Sequence, residues 1–394
     1  MTVEHIQTIF SPEHGGPAVS LRNFALGQAA RGVEVRVRVL DGFRHTSPAL
    51  QLGGAIDQQV FPVAFPQVSG RSPALQRFLR TEKSPDIYHL HGVWHLGQRY
   101  AAQEAQRRNV PCVVELMGAY QPEELVRKPW RKRLFRAWFQ DDLLRRAACI
   151  HTNSVRESEQ MMQLGFRGPF APIPVGFDVT AADALEARLG AHVPAFAAEW
   201  PADQQFVLYL SRLHPNKGIE ILLGAWARIA LEHPDVWLVI AGPGQPDYRA
   251  ALAARAAGLP GGERIRFVGF VSDLDRVWLY RRAAVYCLPS LSENYGATIQ
   301  DALGHGTPVV TTTRTPWRDL ETVGAGWLAE PEVDPVAEKL RVALATPTDA
   351  RRAMGEKARA WIRREYSLGT VIDRQIHLYE WLCGGPQPQF LVVL

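Results

Sequence analysis

Two series of short apolar runs alternating with helical stretches follow one another along this chain. Each series alone specifies a parallel sheet covered on both faces. In the first, Val3–Phe10 forms a strand and Val19–Arg31 a helix. Val33, Val35, Val37 and Val39 then alternate with Glu34, Arg36 and Arg38, the period-two pattern of a half-buried strand. Further strands are expected at Asp86–Leu90, Val110–Leu116 and Cys149–Thr152, with helices near 73–82, 97–108, 130–147 and 155–164. The rhythm breaks near 178, where Pro172, Pro174 and Gly176 precede an Ala-rich stretch followed by Pro194 and Pro201. The second series has strands at Phe206–Leu210, Val236–Ala241, Ile265–Val268, Val285–Leu288 and Pro308–Thr311. Its helices are Ile219–Glu232, Tyr248–Ala257, Asp273–Arg282 and Thr298–Leu303. The fold class is therefore α/β, with two doubly wound, Rossmann-like domains at 1–178 and 205–365. Ligands of such sheets sit beyond the carboxyl ends of the strands, so a cleft between the domains is the expected site.

The length of 394 residues suits two domains, and 46% hydrophobic with 21% charged residues is ordinary globular composition. No apolar run approaches the roughly 20 residues needed to span a bilayer. The start, MTVEHIQTIF, lacks the basic head and apolar core of a signal peptide. Cys112, Cys149, Cys287 and Cys383 have neither metal-ligand nor redox spacing, which points to a reducing compartment and a cytoplasmic protein. The net charge of +4 is uneven. Residues 1–178 carry +6 and the remainder −2, so the first half suits an anionic partner better.

Three loops carry chemistry. In PSLSENYGATIQDALGHGTPVV (Pro289–Val310), a strand ends at Leu288 and Gly296 allows a tight entry into a helix. The amides of Asn294, Tyr295, Gly296 and Ala297 would form a free helix N-terminus, suited to a diphosphate. Glu293 before the helix and Asp301 within it can each accept hydrogen bonds from a diol. SRLHPNKG (Ser211–Gly218) follows a strand and puts Arg212 and Lys217 at the carboxyl edge of the same sheet, where two cations match a diphosphate. Gly15 and Gly16, after the first strand, let backbone approach a phosphate closely. They are not the GxGxxG fingerprint, which argues against a nicotinamide dehydrogenase.

These loops, with Val268–Phe270 (VGF), occur in an order that resembles the family 4 retaining glycosyltransferases of GT-B fold over nearly the whole chain. The resemblance implies a C-terminal helix crossing back to the first domain, within 366–394. It implies transfer of a sugar from a nucleoside-diphosphate-sugar to a hydroxyl acceptor, a lipid-linked or polysaccharide precursor, with retention and without a metal or other cofactor. Glu293 would contact the donor sugar near the reacting centre, Asp301 the ribose, and Arg212 and Lys217 the diphosphate. Phe270 would join Asn294, Tyr295 and Gly296 on the donor. The family has Glu where Asp301 stands, so this ribose contact is one methylene shorter.

His89, His91 and His95 in HLHGVWH invite a zinc reading, but no fourth ligand is apparent. His91, ending its strand, instead resembles the family histidine that contacts the donor sugar. The segment 127–146 packs six cations into its first ten positions and carries Trp130, Leu134, Phe135, Trp138 and Phe139 at helical spacing. It suits either a core-packed helix or one docked on anionic lipid headgroups at the inner membrane face. Two other functions are weighed. A non-catalytic nucleotide-sugar-binding protein of the same fold has Asp301 as its support. A nucleic-acid binder lacks the aromatic platform it would need.

Overall fold

The computed structural model describes residues 1–11, 15–43, 47–54, 56–126 and 129–393. The chain divides into two compact units, Met1–Gly176 with Leu368–Leu394, and Phe177–Ser367.

The first unit is a seven-stranded parallel sheet: β1 (Thr2–Ile9), β2 (Glu34–Asp41), β3 (Asp57–Pro62), β4 (Ile87–His91), β5 (Cys112–Glu115), β6 (Cys149–Thr152) and β7 (Phe170–Pro172), in the order β3-β2-β1-β4-β5-β6-β7. Alternation along each strand sorts side chains between two cores. On one face Val3, Val37, Ile87, Val113 and Cys149 pack under the helix Gly16–Ala29 and the C-terminal helix Leu368–Leu382, which contributes Val371 and Leu378. On the other, Ile6, Leu90, Val114 and Ile150 meet Leu75, Ala101, Leu144 and Met161. β3 and β7 escape the hydropathy pattern for physical reasons. DQQVFP is an edge strand with Phe61 as its only buried residue, and FAP is three residues long.

The second unit holds a six-stranded parallel sheet: β8 (Gln205–Leu210), β9 (Val236–Ala241), β10 (Ile265–Gly269), β11 (Val285–Leu288), β12 (Val309–Thr312) and β13 (Gly326–Ala329), ordered β10-β9-β8-β11-β12-β13. β8 is buried at every position but its first, as a strand covered on both faces must be. The Ala-rich stretch expected as linker folds as the helix Val179–Leu189. Asp178 caps it by accepting from the Ala181 amide at 2.9 Å. The helix expected at 130–147 is three pieces, Pro129–Phe135, a π-helical turn Arg136–Gln140, and Asp141–Arg146. Cys112, Cys149 and Cys287 are buried free thiols, and Cys383 is an exposed one.

Candidate active site

In the second unit the chain leaves β8 for β9 on one side and returns from β10 to β11 on the other. β8 and β11 therefore flank the topological switch point, where parallel sheets open a ligand crevice. The loops Ser211–Gly218 and Pro289–Gly296 both start at this point. They are tied together, for the Leu291 amide donates to the Asn216 carbonyl at 2.9 Å. Gly218 makes the approach feasible. Its φ is +68°, and a Cβ there would lie 1.9 Å from the Pro289 carbonyl oxygen.

This closeness brings Lys217 onto Glu293. Nζ lies 2.5 Å from Oε2, with side chains 18% and 10% exposed, and the Ser290 hydroxyl donates to the same oxygen at 3.3 Å. The cation and the carboxylate, largely withdrawn from water, hold each other at the carboxyl edge of the sheet. Arg212, on the same loop, is exposed. Gly296 enters the helix Ala297–Gly304 in the left-handed conformation, and no side chain among the described residues caps that helix. Tyr295 is buried, its ring 5.6 Å from that of Trp317 and its carbonyl accepting from Trp317 Nε1 at 2.8 Å. Its backbone faces the loop while its ring belongs to the core. Asp301 is half-buried, and its carboxylate has no hydrogen bond among the described residues. Burial pushes that carboxyl up, against the pull of Arg276 and His305. Phe270 is 81% exposed just past β10.

The first unit has the same topological feature between β1 and β4. Beyond β1, Pro12–His14 lie outside the described residues, and Gly15 leads into the helix Gly16–Ala29. Among the described residues that helix start has no side-chain cap, and its first turn has no acidic residue. Nothing lies within 4 Å of a Cβ built on Gly15 or Gly16, and the buried Ser11 hydroxyl nearby in sequence has no partner among the described residues. His91 ends β4. Its ring is buried with both nitrogens engaged, Nδ1 with Glu115 at 2.5 Å and Nε2 with His5 at 2.8 Å. The imidazole thus faces the interior of its unit.

A family model for a glycosyl transferase 4-like domain matches residues 15–176, and one for glycosyl transferases group 1 matches residues 195–361. Among curated proteins, phosphatidyl-myo-inositol mannosyltransferase of Mycolicibacterium smegmatis is 30% identical over 216 residues, 53% of this chain and 54% of that protein. The Mycobacterium tuberculosis protein of the same name is 28% identical over 219 residues, 53% and 57% of the two chains. The chain thus spans about half the length of these relatives. Among solved structures, Anabaena HepE in complex with UDP superposes with a TM-score of 0.73 at 20% identity, over 97% of this chain and 100% of that one. Sucrose-phosphate synthase from Thermosynechococcus elongatus gives 0.73 at 20% identity over 97% and 99%. The chain belongs to the family 4-like glycosyltransferases of GT-B fold.

Within this chain, the residues singled out from sequence fall into groups. Lys217 and Glu293 touch, with Asn294, Tyr295 and Gly296 continuing the same loop into the helix of Asp301. Arg212 shares the loop of Lys217, while Phe270 follows β10, separated from β8 by β9. Gly15, Gly16 and His91 belong to the first unit. The zinc reading of HLHGVWH does not fit as drawn. His95 precedes the helix Leu96–Arg108 as its cap residue, whereas His89 and His91 meet His5, His151 and Glu115 inside the sheet. Those last three lie on separate strands, and linear spacing gives no hint of the meeting.

Proposed function

We propose that this chain transfers a sugar from a nucleoside-diphosphate-sugar to a hydroxyl acceptor, with retention at the anomeric carbon and without a divalent metal. The Lys217–Glu293 contact at the switch point carries the reading. In a sugar nucleotide the diphosphate ends where the sugar begins, so one ligand can meet both groups at once. Lys217, Arg212 and the amides of the uncapped helix at Gly296–Ala297 would stabilise charge on the departing diphosphate. Glu293 would hold hydroxyls of the reacting sugar, Asp301 the ribose, and Phe270 would border the base. The helix start at Gly15–Gly16 offers amides to a further anionic group. HepE was crystallised with UDP and with UDP-glucose, which supports a sugar-nucleotide donor here.

The test is a thermal-shift panel of nucleotide sugars, followed by donor turnover with and without EDTA. A bound donor stabilises the native state in proportion to its affinity. One sugar nucleotide should raise Tm, and chelation should leave its turnover intact. Activity lost in EDTA and restored by magnesium or manganese would sink the metal-free scheme. Stabilisation with no hydrolysis or transfer to any acceptor would favour a non-catalytic binding protein.

A lipid-linked acceptor at an anionic membrane surface is the second part of the proposal. The relatives named as phosphatidyl-myo-inositol mannosyltransferases support it. So does the surface of the 127–146 segment, described from Pro129 onward. Its apolar residues divide, Phe139, Leu143 and Leu144 turning inward while Trp130, Leu134 and Trp138 stay 69%, 58% and 53% exposed, alongside exposed Arg133. Aromatic and basic residues together suit headgroup docking. No helix among the described residues is long and apolar enough to cross a membrane. The protein should sediment with phosphatidylserine vesicles and detach as salt rises, with Trp130→Ser/Trp138→Ser weakening capture about 10-fold or more. Binding indifferent to salt, or to both substitutions, would remove the membrane from the reading.

A further inference from the structure

Five ionisable side chains lie side by side on one face of the first sheet. They are His5 on β1, His89 and His91 on β4, Glu115 on β5 and His151 on β6, all 0–1% exposed. The parallel register makes them neighbours, pairing His5 with His89, His91 with Glu115 and Glu115 with His151. Two helices cover them. Gly16–Ala29 adds Gln28, and the C-terminal helix Leu368–Leu382 adds Gln375 and Tyr379.

The hydrogen bonds run in one direction, set by a group that can only accept. The Ile173 carbonyl accepts a hydrogen bond from His151 Nε2 at 2.8 Å, so His151 Nδ1 accepts from His89 Nε2 at 3.2 Å. His89 Nδ1 then accepts from the Tyr379 hydroxyl at 2.6 Å, whose oxygen accepts from Gln28 Nε2 at 3.2 Å. Gln28 Oε1 accepts from His5 Nε2 at 2.9 Å, and His5 Nδ1 from His91 Nε2 at 2.8 Å. His91 Nδ1 remains an acceptor facing Glu115 Oε2 at 2.5 Å, so with four neutral rings Glu115 carries the proton between them. A further proton on His5 or His151 would set two N–H groups against each other, and one on His89 would leave the Tyr379 hydroxyl without the nitrogen it donates to.

We propose that this layer is a proton-sensitive latch for the C-terminal helix, holding Leu368–Leu382 on the sheet near neutrality and releasing it when the layer takes up protons. The bond that would fail, Tyr379 to His89, joins that helix to the rest of the unit, beside the Gln28 to Tyr379 bond. Burial supports the direction, pushing His5 and His91 down to about 3 and lowering His89 and His151 as well. Histidines depressed in the docked state favour docking fully above their free value of about 6.5, and that contribution is lost as pH falls below it. Two carboxyls act with the opposite sign. Burial raises Glu115, and it raises Glu157, on the helix Val155–Gln163 packed beside the layer, to about 7. Glu157 keeps its bonds to the Gly118 and Asn153 amides whether or not the C-terminal helix is docked, so four rings work against one carboxyl. The Arg31–Asp373 pair at 2.5 Å lies on the exposed edge of the helix interface, outside the buried layer.

The test is hydrogen exchange of the full chain between pH 8 and 5, corrected for intrinsic rates. Peptides from 368–382 should lose protection about 10-fold or more per pH unit below about 6.5. The helix Leu96–Arg108, on the opposite face, should keep its protection. Tyr379→Phe should expose 368–382 already at pH 7.5. Flat protection across the range, or parallel loss in both helices, would overturn the latch. Ligand atoms of His5, His89 and His91 lie within 4.8 Å of one another, so zinc is the rival for these nitrogens. One equivalent of Zn²⁺ retained through gel filtration, with raised protection at pH 7.5, would also overturn it.

Discussion

The Glu293→Ala protein should bind donor nearly as well as wild type and turn it over about 100- to 1,000-fold more slowly. Glu293 is assigned to the reacting sugar, where contacts that strengthen as charge develops lower the barrier rather than the binding energy. Its pairing with Lys217 sharpens the expectation, because removing the carboxylate also frees a cation that the sheet edge holds in place. Lys217→Ala should be defective too, and the double substitution should cost far less than the product of the single effects, as residues acting as a unit do. Asp301 supplies the contrast. Assigned to the ribose, it should act on binding, so Asp301→Ala should raise donor KM about 10- to 150-fold, the worth of a hydrogen bond to a charged group. Asp301→Glu, which restores the family's usual residue, should retain much of the activity. Donor binding untouched by Asp301→Ala but abolished by Glu293→Ala would invert the two roles. Steady-state kinetics on the three variants decide the matter.

Gly218→Ala should be among the most damaging single-methyl changes in the chain. A left-handed backbone costs a side-chain-bearing residue about 1–2 kcal/mol, and here the new Cβ also strikes the Pro289 carbonyl at 1.9 Å. The two loops would have to part, straining the Leu291–Asn216 bond and drawing Lys217 off Glu293. Displacement of about 1 Å in a catalytic group costs about 100-fold in rate, so kcat/KM should fall at least that far, with stability down by about 2–4 kcal/mol. Gly165→Ala is the control. Its φ of +87° carries similar backbone strain, but nothing lies within 4 Å of the added methyl. Equal loss in both variants, by activity and by urea denaturation, would show that loop closeness does not matter.

Much of this was legible in the chain because local pattern and tertiary role coincide. Val33–Val39 alternates because one side of β2 meets a helix, and the loops of Lys217 and Glu293 stand out because strands end abruptly before them. Their meeting could also be anticipated, since both loops leave the carboxyl edge of one doubly wound sheet. What stayed hidden depends on strand order. His5, His89 and His151 are far apart in sequence, and only the order β1-β4-β5-β6 makes them neighbours. The short polar edge strand β3 hid because it buries little, and Val179–Leu189 because alanine fits helix and linker alike. His91 illustrates the limit of motif transfer. The match fixed its position at the end of β4, while the inward turn of its ring depends on Glu115 and His5, which no motif includes.

The first unit takes its last helix from beyond the second, and this sets an order of events during synthesis. A ribosome adds about 5–20 residues per second, and N-terminal domains ordinarily fold as they emerge. Here the seven strands are complete by Pro172, yet the helix that covers Val3, Val113 and the histidine layer waits for all of Phe177–Ser367. For that interval one face of the nascent sheet has the Gly16–Ala29 helix as cover but lacks its second, leaving apolar strand surface open to chaperones or to a neighbouring nascent chain. The second unit, continuous in sequence, needs no such wait. The unit begun before the other is the one finished after it.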